Sequence, residues 1–372
     1  MPYLDYAAST PLKKEVLESM LPYMTETYGN ASSIHNYGRE MNKAVDRSRR
    51  ALAKLMGASY DELYFTSGGT EADNWALKGI LSRHESGHLI VSAFEHPAVL
   101  NSAKTLEKQG YEVTYIQPAS DGMISLKSIE EAIKENTIIV SIMFVNNEIG
   151  TLQDVKAIGA LCQSKEILFH TDAVQAFGYY PIDVKDLNID LMSVSAHKIY
   201  GPIGVGALYI RKGVKIKNIL DGGAQERKRR AGTHNVAGVV GFSKAAEIRY
   251  RDLETLNQAL LEKRNYLLEG LKPLDIVVNG RLDKRHPGSL NIRFKDIKGD
   301  SLLMNLDLVG IAVSAGSACS SGSVNPSHVL LSIGLTKTEA KASLRMSVGD
   351  FTTYEELDLV ISEMNKIIGR LK

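Results

Sequence analysis

The sequence predicts an α/β fold, with a large domain around a mainly parallel central sheet and a smaller α+β domain after it. Between residues 62 and 211, short apolar runs alternate with longer segments whose apolar residues recur at helical spacing. The runs are apolar almost without interruption, as strands covered by helices on both faces must be. After Pro273 the pattern changes to shorter strands mixed with helices.

Taken in order, the predicted strands of the large domain are residues 62–66, 88–93, 112–116, 137–145, 167–171, 191–195 and 206–211. Between two of them, Ile158, Leu161 and Cys162 share one face of a helix that follows Asp154. A long helical pattern covers residues 236–271, and short strands are expected at 276–279, 289–292 and 343–347. A last helix runs from Tyr354 to about residue 371, where the chain ends with almost no tail. The predicted division is 13–255 for the large domain and 1–12 with 256–372 for the small one. The first dozen residues could join either domain on pattern alone, and they are assigned to the second.

Composition narrows the function. The chain has 372 residues, 44% hydrophobic and 23% charged, the balance of a soluble globular protein with a large core rather than a disordered one. Lysine plus arginine number 44 against 43 acidic residues, so no global field draws the chain to nucleic acid or an anionic membrane. The longest apolar stretch, residues 138–145, is far short of the ~20 residues of a spanning helix. Met1-Pro-Tyr-Leu-Asp5 lacks the basic and apolar regions of a secretory signal. Two cysteines, Cys162 and Cys319, neither in a CxxC pair, exclude a disulfide framework and a cysteine zinc site. A cytoplasmic protein without a bound metal is expected.

Several motifs fail on inspection. His84-Glu-Ser-Gly-His88 matches HExxH, but Ser86 and Gly87 are poor helix residues and His88 opens a predicted strand. No GxxxxGK[ST], GxGxxG or GxSxG occurs, which sets aside nucleotide hydrolysis, simple nicotinamide chemistry and serine hydrolysis. The basic run Arg227-Lys-Arg-Arg230 reads as a solvated loop.

Four segments remain, each where an open α/β sheet binds its ligand, past the carboxyl end of a strand. Phe65-Thr-Ser-Gly-Gly-Thr70 leads through glycines into a helix, whose free N–H groups and Thr70 hydroxyl suit a phosphate. Phe94-Glu-His96 places an imidazole beyond a strand; taken alone, such a histidine is more often a hydrogen-bonded loop residue. His170-Thr-Asp172-Ala-Val-Gln175 puts a carboxylate where burial demands a cationic or donating partner. Ser193-Val-Ser195-Ala-His197-Lys198 ends a strand in a lysine hemmed by small residues, the setting of an amine nucleophile. Pyridoxal 5'-phosphate (PLP) requires all four together: a lysine that holds it covalently, an anion for its pyridinium nitrogen, a phosphate cradle and a ring to stack on.

At this point the sequence resembles the fold-type I PLP-dependent transferases of the class V aminotransferase family, and within them the group I NifS/IscS-type cysteine desulfurases. The resemblance runs nearly end to end through Tyr3-Leu-Asp-Tyr-Ala-Ala-Ser-Thr10, Asn30-Ala-Ser-Ser-Ile-His35, Asn146-Asn-Glu-Ile-Gly150, Arg230-Ala-Gly-Thr233, Ser314-Ala-Gly-Ser-Ala-Cys319-Ser-Ser-Gly and Leu344-Arg-Met-Ser347. It implies that Lys198 carries the cofactor, Asp172 pairs with the pyridinium nitrogen and Gln175 bonds the phenolic oxygen. His96 stacks on the ring and moves protons. Gly69, Thr70, Ser195 and His197 hold the phosphate, and Thr233 reaches the phosphate in the neighbouring subunit of a homodimer. Asn147 touches cofactor and substrate, and Arg345 clamps the substrate carboxylate. Without the resemblance, the alternative for Arg345 is an ion pair within the small domain.

Cys319 lies among serine, glycine and alanine, a composition that favours a mobile exposed loop, whereas Cys162 lies on an apolar helical face. The resemblance makes Cys319 the nucleophile that takes sulfur from L-cysteine, leaving L-alanine and an enzyme persulfide. A sulfur-acceptor protein then serves iron–sulfur cluster assembly or tRNA and cofactor thiolation. Because the chain stops after its last helix, a dedicated acceptor such as a tRNA-thiolating protein is the expectation. The departures from the family pattern are Gly69, where many members have alanine, and Ala315-Gly316, where others have Ser-Gly. The rival readings are a selenocysteine lyase, a class V aminotransferase and an inactive sulfur-relay binding protein.

Overall fold

The computed structural model describes residues 1–295, 297, 299–315 and 326–371. Seven strands form the central sheet: β1 (Leu63–Thr66), β2 (His88–Ser92), β3 (Glu112–Ile116), β4 (Thr137–Ser141), β5 (Leu168–Asp172), β6 (Leu191–Ser195) and β7 (Gly206–Ile210). Their order is β1-β7-β6-β5-β4-β2-β3. Every neighbouring pair is parallel except those of β7, which runs antiparallel to both β1 and β6. The connection from β6 to β7 spans residues 196–205 and holds no crossover helix, only one turn of 3-10 helix, so β7 must return antiparallel.

Burial on both faces explains the apolar runs. In β2, Leu89 and Val91 face one core with Trp75, Leu77 and Leu106, while Ile90 faces the other with Val140, Phe169 and Met192. All residues of β2, β6 and β7 are buried. The helices Gly69–Leu81 and Pro97–Lys108 pack together on the first of these faces. His88 is the buried first residue of β2, its ring nitrogens 2.8 Å from the Thr137 and Thr114 hydroxyls, so the HExxH match is a strand entry.

Two expectations need adjusting. Regular pairing in β4 stops at Ser141, although the Ile142 and Phe144 N–H groups still donate to the His170 and Asp172 carbonyls. The chain then turns at Asn146, whose Oδ1 accepts from the Glu148 and Ile149 N–H groups. The predicted long helix is two, Val236–Arg251 and Leu253–Leu271, broken at Asp252 (φ −116°, ψ 25°). Aspartate is a poor helix-interior residue, and its carboxylate here pairs with Arg251.

A second, antiparallel sheet has the order β10-β9-β8, from β8 (Ile276–Val278), β9 (Ser289–Phe294) and β10 (Ser343–Ser347). The helices Leu253–Leu271 and Tyr354–Leu371 pack beside it. The N-terminus joins both sheets. Leu4 exchanges backbone hydrogen bonds with Ala312 and Ser347, and Thr10 donates to the His197 carbonyl beyond β6. Among the described residues no helix is long and apolar enough to cross a membrane.

Candidate active site

A cleft of about 360 Å³ opens past the carboxyl ends of β1, β5 and β6 and is roofed by Arg345 from β10. Strand β1 runs through Ser67 and Gly68 into the helix Gly69–Leu81, which presents its first N–H groups to the cleft. The approach is close: a Cβ on Gly206, opposite in β7, would come within 2.8 Å of the Gly68 Cα. A Cβ on Gly69 would come within 2.7 Å of Val174 Cγ2, so the glycine at this departure from the family pattern matches the valine facing it.

Strand β5 ends in Asp172, whose Oδ1 accepts from the Val174 N–H at 2.9 Å. Burial pushes this carboxyl up to about 6, against the pull of the Val174 N–H and the Lys198 ammonium. Beyond β6, the turn Ala196–Lys198 directs Lys198 into the cleft, where Nζ donates to the Ala7 and Ala8 carbonyls, both at 2.6 Å. His96 precedes the helix Pro97–Lys108, and its Nδ1 accepts from the Ala98 N–H at 3.1 Å, which leaves the ring proton on Nε2. Burial first, then Lys198 and His328, depress its pKa to about 4, so the ring is neutral. His197 is likewise held down to about 4 by burial and Lys198, with Nδ1 3.2 Å from the Ser9 hydroxyl.

Ten residues singled out in the sequence line this one cleft: Gly69, Thr70, His96, Asn147, Asp172, Gln175, Ser195, His197, Lys198 and Arg345. Thr233 is exposed and lies outside the cleft, and Cys319 falls outside the described residues. Two of these side chains already have partners within the chain. Gln175 Nε2 donates to the Ala7 carbonyl at 2.9 Å, and Arg345 is engaged in an ion pair, Nη2 to Asp5 Oδ1 at 2.7 Å. Its Nη1 donates to the Asn147 carbonyl at 3.1 Å, while Nε is buried without a partner among the described residues.

The basic run is exposed at Arg227 and Lys228, as a solvated segment would be, but two of its side chains are engaged. Arg227 lies over the Tyr64 ring and donates to the Leu63 carbonyl, and Arg230 makes a two-pronged pair with Glu71. Sequence reasoning missed Asp73, which is fully buried one turn into the helix that starts at Gly69. Burial, then the charge of Asp172, hold its carboxyl well above the usual range, and its Oδ1 has no hydrogen-bond partner among the described residues, His170 Nε2 lying 3.7 Å away. Its only sequence signal was a carboxylate two residues before the apolar run Trp75-Ala-Leu. Ala7 and Ala8 were also missed as a wall of the site, although they fall in the quoted N-terminal motif.

The donor set fits PLP. Partnerless buried atoms on Asp73 and Asn147, a raised Asp172 and a glycine-lined helix start face the cleft together with a lysine amine. Asp73, His96 and Asp172 also bring one donor atom each within 4.8 Å of one another, a spacing a cation could use. The lysine and phosphate cradle beside them favour the pyridinium ring over an ion.

The class-V aminotransferase family model matches residues 2–360. The cysteine desulfurase IscS of Methanosarcina thermophila is 50% identical, over 100% of this chain and 92% of the relative. A solved NifS-like protein superposes with a TM-score of 0.94 at 36% identity, covering 100% of each chain. SspA, solved in complex with cysteine, gives a TM-score of 0.87 at 37% identity over 95% of this chain and 100% of its own. With these likenesses spanning the full length and the cleft built from the same motifs, the chain belongs to the class-V aminotransferase family and, within it, to the IscS and NifS-like cysteine desulfurases.

Proposed function

We propose that the protein is a cytoplasmic, PLP-dependent homodimer that converts L-cysteine to L-alanine and passes the sulfur through Cys319 to an acceptor protein. The observation that carries this reading is the convergence of Lys198, Asp172, His96 and the Gly69–Thr70 helix start on one cleft under Arg345. When bound, PLP supplies an electron sink for the carbanion left at the substrate Cα. Asp172 would keep the pyridinium nitrogen protonated, which makes the sink effective, and the neutral His96 ring would lie against the cofactor. Gly69, Thr70, Ser195 and His197 would hold the phosphate, with Thr233 of the neighbouring subunit. Lys198 would hold the cofactor covalently, and its amine, once free, would remove the substrate Cα proton.

Arg345 orients the substrate. Its Nη2 is held by Asp5 and its Nη1 by the Asn147 carbonyl, and the buried Nε, which has no partner among the described residues, is a donor available to a carboxylate. Asn147 Oδ1, also without a partner among the described residues, faces the same space. The Cys319 thiolate then takes the sulfur: the substrate C–S bond breaks, an S–S bond forms on Cys319, and a proton completes alanine. Cysteine plus enzyme thiol thus becomes alanine plus enzyme persulfide, with no other reactant. The division into residues 13–255 and 1–12 with 256–372 belongs to this reading, the second unit carrying Arg345 and Cys319. To test it, L-cysteine is added to the holoenzyme and alanine and protein-bound persulfide are measured together. Equal early yields are expected; alanine formed with no persulfide would contradict sulfur transfer to the protein.

A further inference from the structure

The segment leading to Thr233 is held in an unusual way. Glu226, Arg227 and Lys228 are three consecutive non-glycine residues at positive φ (45°, 57° and 66°), a conformation that persists only where the surroundings enforce it. The enforcing contact is the Glu226 side chain, 4% exposed. Its Oε2 accepts from Arg49 Nη1 at 2.7 Å and from the Phe65 N–H of β1 at 2.8 Å. Its Oε1 accepts from Arg49 Nη2 at 2.6 Å and lies 2.7 Å from His234 Nε2. Four donors converge on one carboxylate.

Thr233 therefore sits next to an anchored residue, His234, and three residues past a second anchor. That anchor is Arg230, which grips Glu71 through Nε (2.7 Å) and Nη2 (2.9 Å). Glu71 in turn accepts from the Ser67 N–H at 2.8 Å, in the loop that forms this subunit's own phosphate cradle. Between the anchors, Thr233 itself is exposed. A hydroxyl displayed at the surface on a doubly pinned segment is preorganised for a group on another molecule.

We propose that Glu226 is the positioning residue that sets Thr233 for the cofactor phosphate of the partner subunit. Cofactor retention in one subunit then depends on Glu226 of the other. This rests on the reading of Thr233 given above, and the experiment separates the two.

Holoenzyme dimers carrying Glu226→Gln in both subunits are compared with mixed dimers of one Glu226→Gln and one Lys198→Ala subunit. Release of PLP is followed by the absorbance of the lysine-bound cofactor, which the Lys198→Ala subunit cannot form. In the mixed dimer the observed site therefore lies in the Glu226→Gln subunit, and its Thr233 comes from a subunit with intact Glu226. Release should be faster on the order of tenfold in the double Glu226→Gln dimer, the loss expected from one charge-assisted contact. It should return to the wild-type rate in the mixed dimer. Fast release that persists in the mixed dimer, or wild-type release when both subunits are altered, would overturn the proposal.

Thr233→Ala, paired with Lys198→Ala in the same way, is run beside it. If that mixed dimer is not restored, Thr233 does not act across the dimer, and both readings fall. If it is restored and the Glu226→Gln dimer is not, only the role of Glu226 falls. Should Glu226→Gln fail to fold, His234→Asn removes one of the four donors and must give the same pattern at smaller size; no pattern in that variant would equally overturn the proposal.

Discussion

Glu226 and Asp172 are both carboxylates withdrawn from water, and their acidities move in opposite directions. Burial alone would raise each. At Glu226 the hydrogen bonds from Arg49, His234 and the Phe65 N–H outweigh burial and hold the carboxyl down at about 2. Asp172 has one backbone donor, from Val174, and the charge of Lys198, and burial keeps it up at about 6. Burial and then the charge of Asp172 hold the carboxyl of its neighbour Asp73 well above the usual range too, and its Oδ1 has no hydrogen-bond partner among the described residues. A carboxylate that finishes its own hydrogen bonding holds the fold together. One left short of donors is suited to a cation that the chain does not supply, which in the proposed reading is a pyridinium nitrogen.

The comparison can be broken at either site. Lys198→Ala should have the largest effect, abolishing alanine production and the absorbance of lysine-bound cofactor, since among the described residues no other lysine lines the cleft to attach PLP or take the Cα proton. Ordinary turnover in that variant would remove the cofactor assignment. Asp172→Asn should lower the rate at least about a hundredfold, and by more than it weakens cofactor binding, because a neutral amide cannot hold the ring nitrogen protonated. An unchanged rate would mean that Asp172 is not the ring partner.

The pH dependence separates the two carboxylates by sign. The Glu226 contribution to stability is complete above about 4.5 and is lost as pH falls through about 2, its folded-state value. Asp172 does the reverse in the cofactor-free protein. Its folded pKa is raised, so it costs nothing below 3.8, and the cost grows as pH rises towards about 6. Denaturant midpoints of apo wild type and apo Asp172→Asn, compared from pH 4 to 7, should diverge in favour of the variant as pH rises. Glu226→Ala should destabilise by about 3 kcal/mol at neutral pH, because it leaves the buried Arg49 charge unpaired; a loss near zero would show the hub to be dispensable. Cys162→Ser should do least. This thiol is fully buried and pushed up to about 12 by burial and then Asp190, so its loss costs at most about 1–2 kcal/mol and leaves turnover intact.

The strands were legible because burial on both faces writes a simple pattern, an unbroken apolar run, as in Leu89-Ile-Val91. The break at Asp252 was not, since the apolar spacing continues through it and only the local backbone departs. Lys198, Asp172 and His96 could be found because each ends or follows a strand. Asp73 lies inside a helix, where a lone carboxylate reads as solvent-facing until the sheet beneath it is known. Glu226 was hidden by its neighbours: the basic residues beside it suggest a wet surface, and nothing local marks three non-glycine residues for positive φ. The Arg345–Asp5 pair joins residues 340 apart in the chain, beyond any local pattern.

Cys319→Ser tests the central claim most directly. The variant should bind PLP and L-cysteine as wild type does, since Lys198, Asp172 and Arg345 are untouched, and the hydroxyl that replaces the thiol does not ionise near neutral pH. With L-cysteine supplied, alanine and protein-bound persulfide should then cease together, while Cys162→Ser forms both at the wild-type rate. Persulfide that survives in Cys319→Ser and disappears in Cys162→Ser would contradict the account.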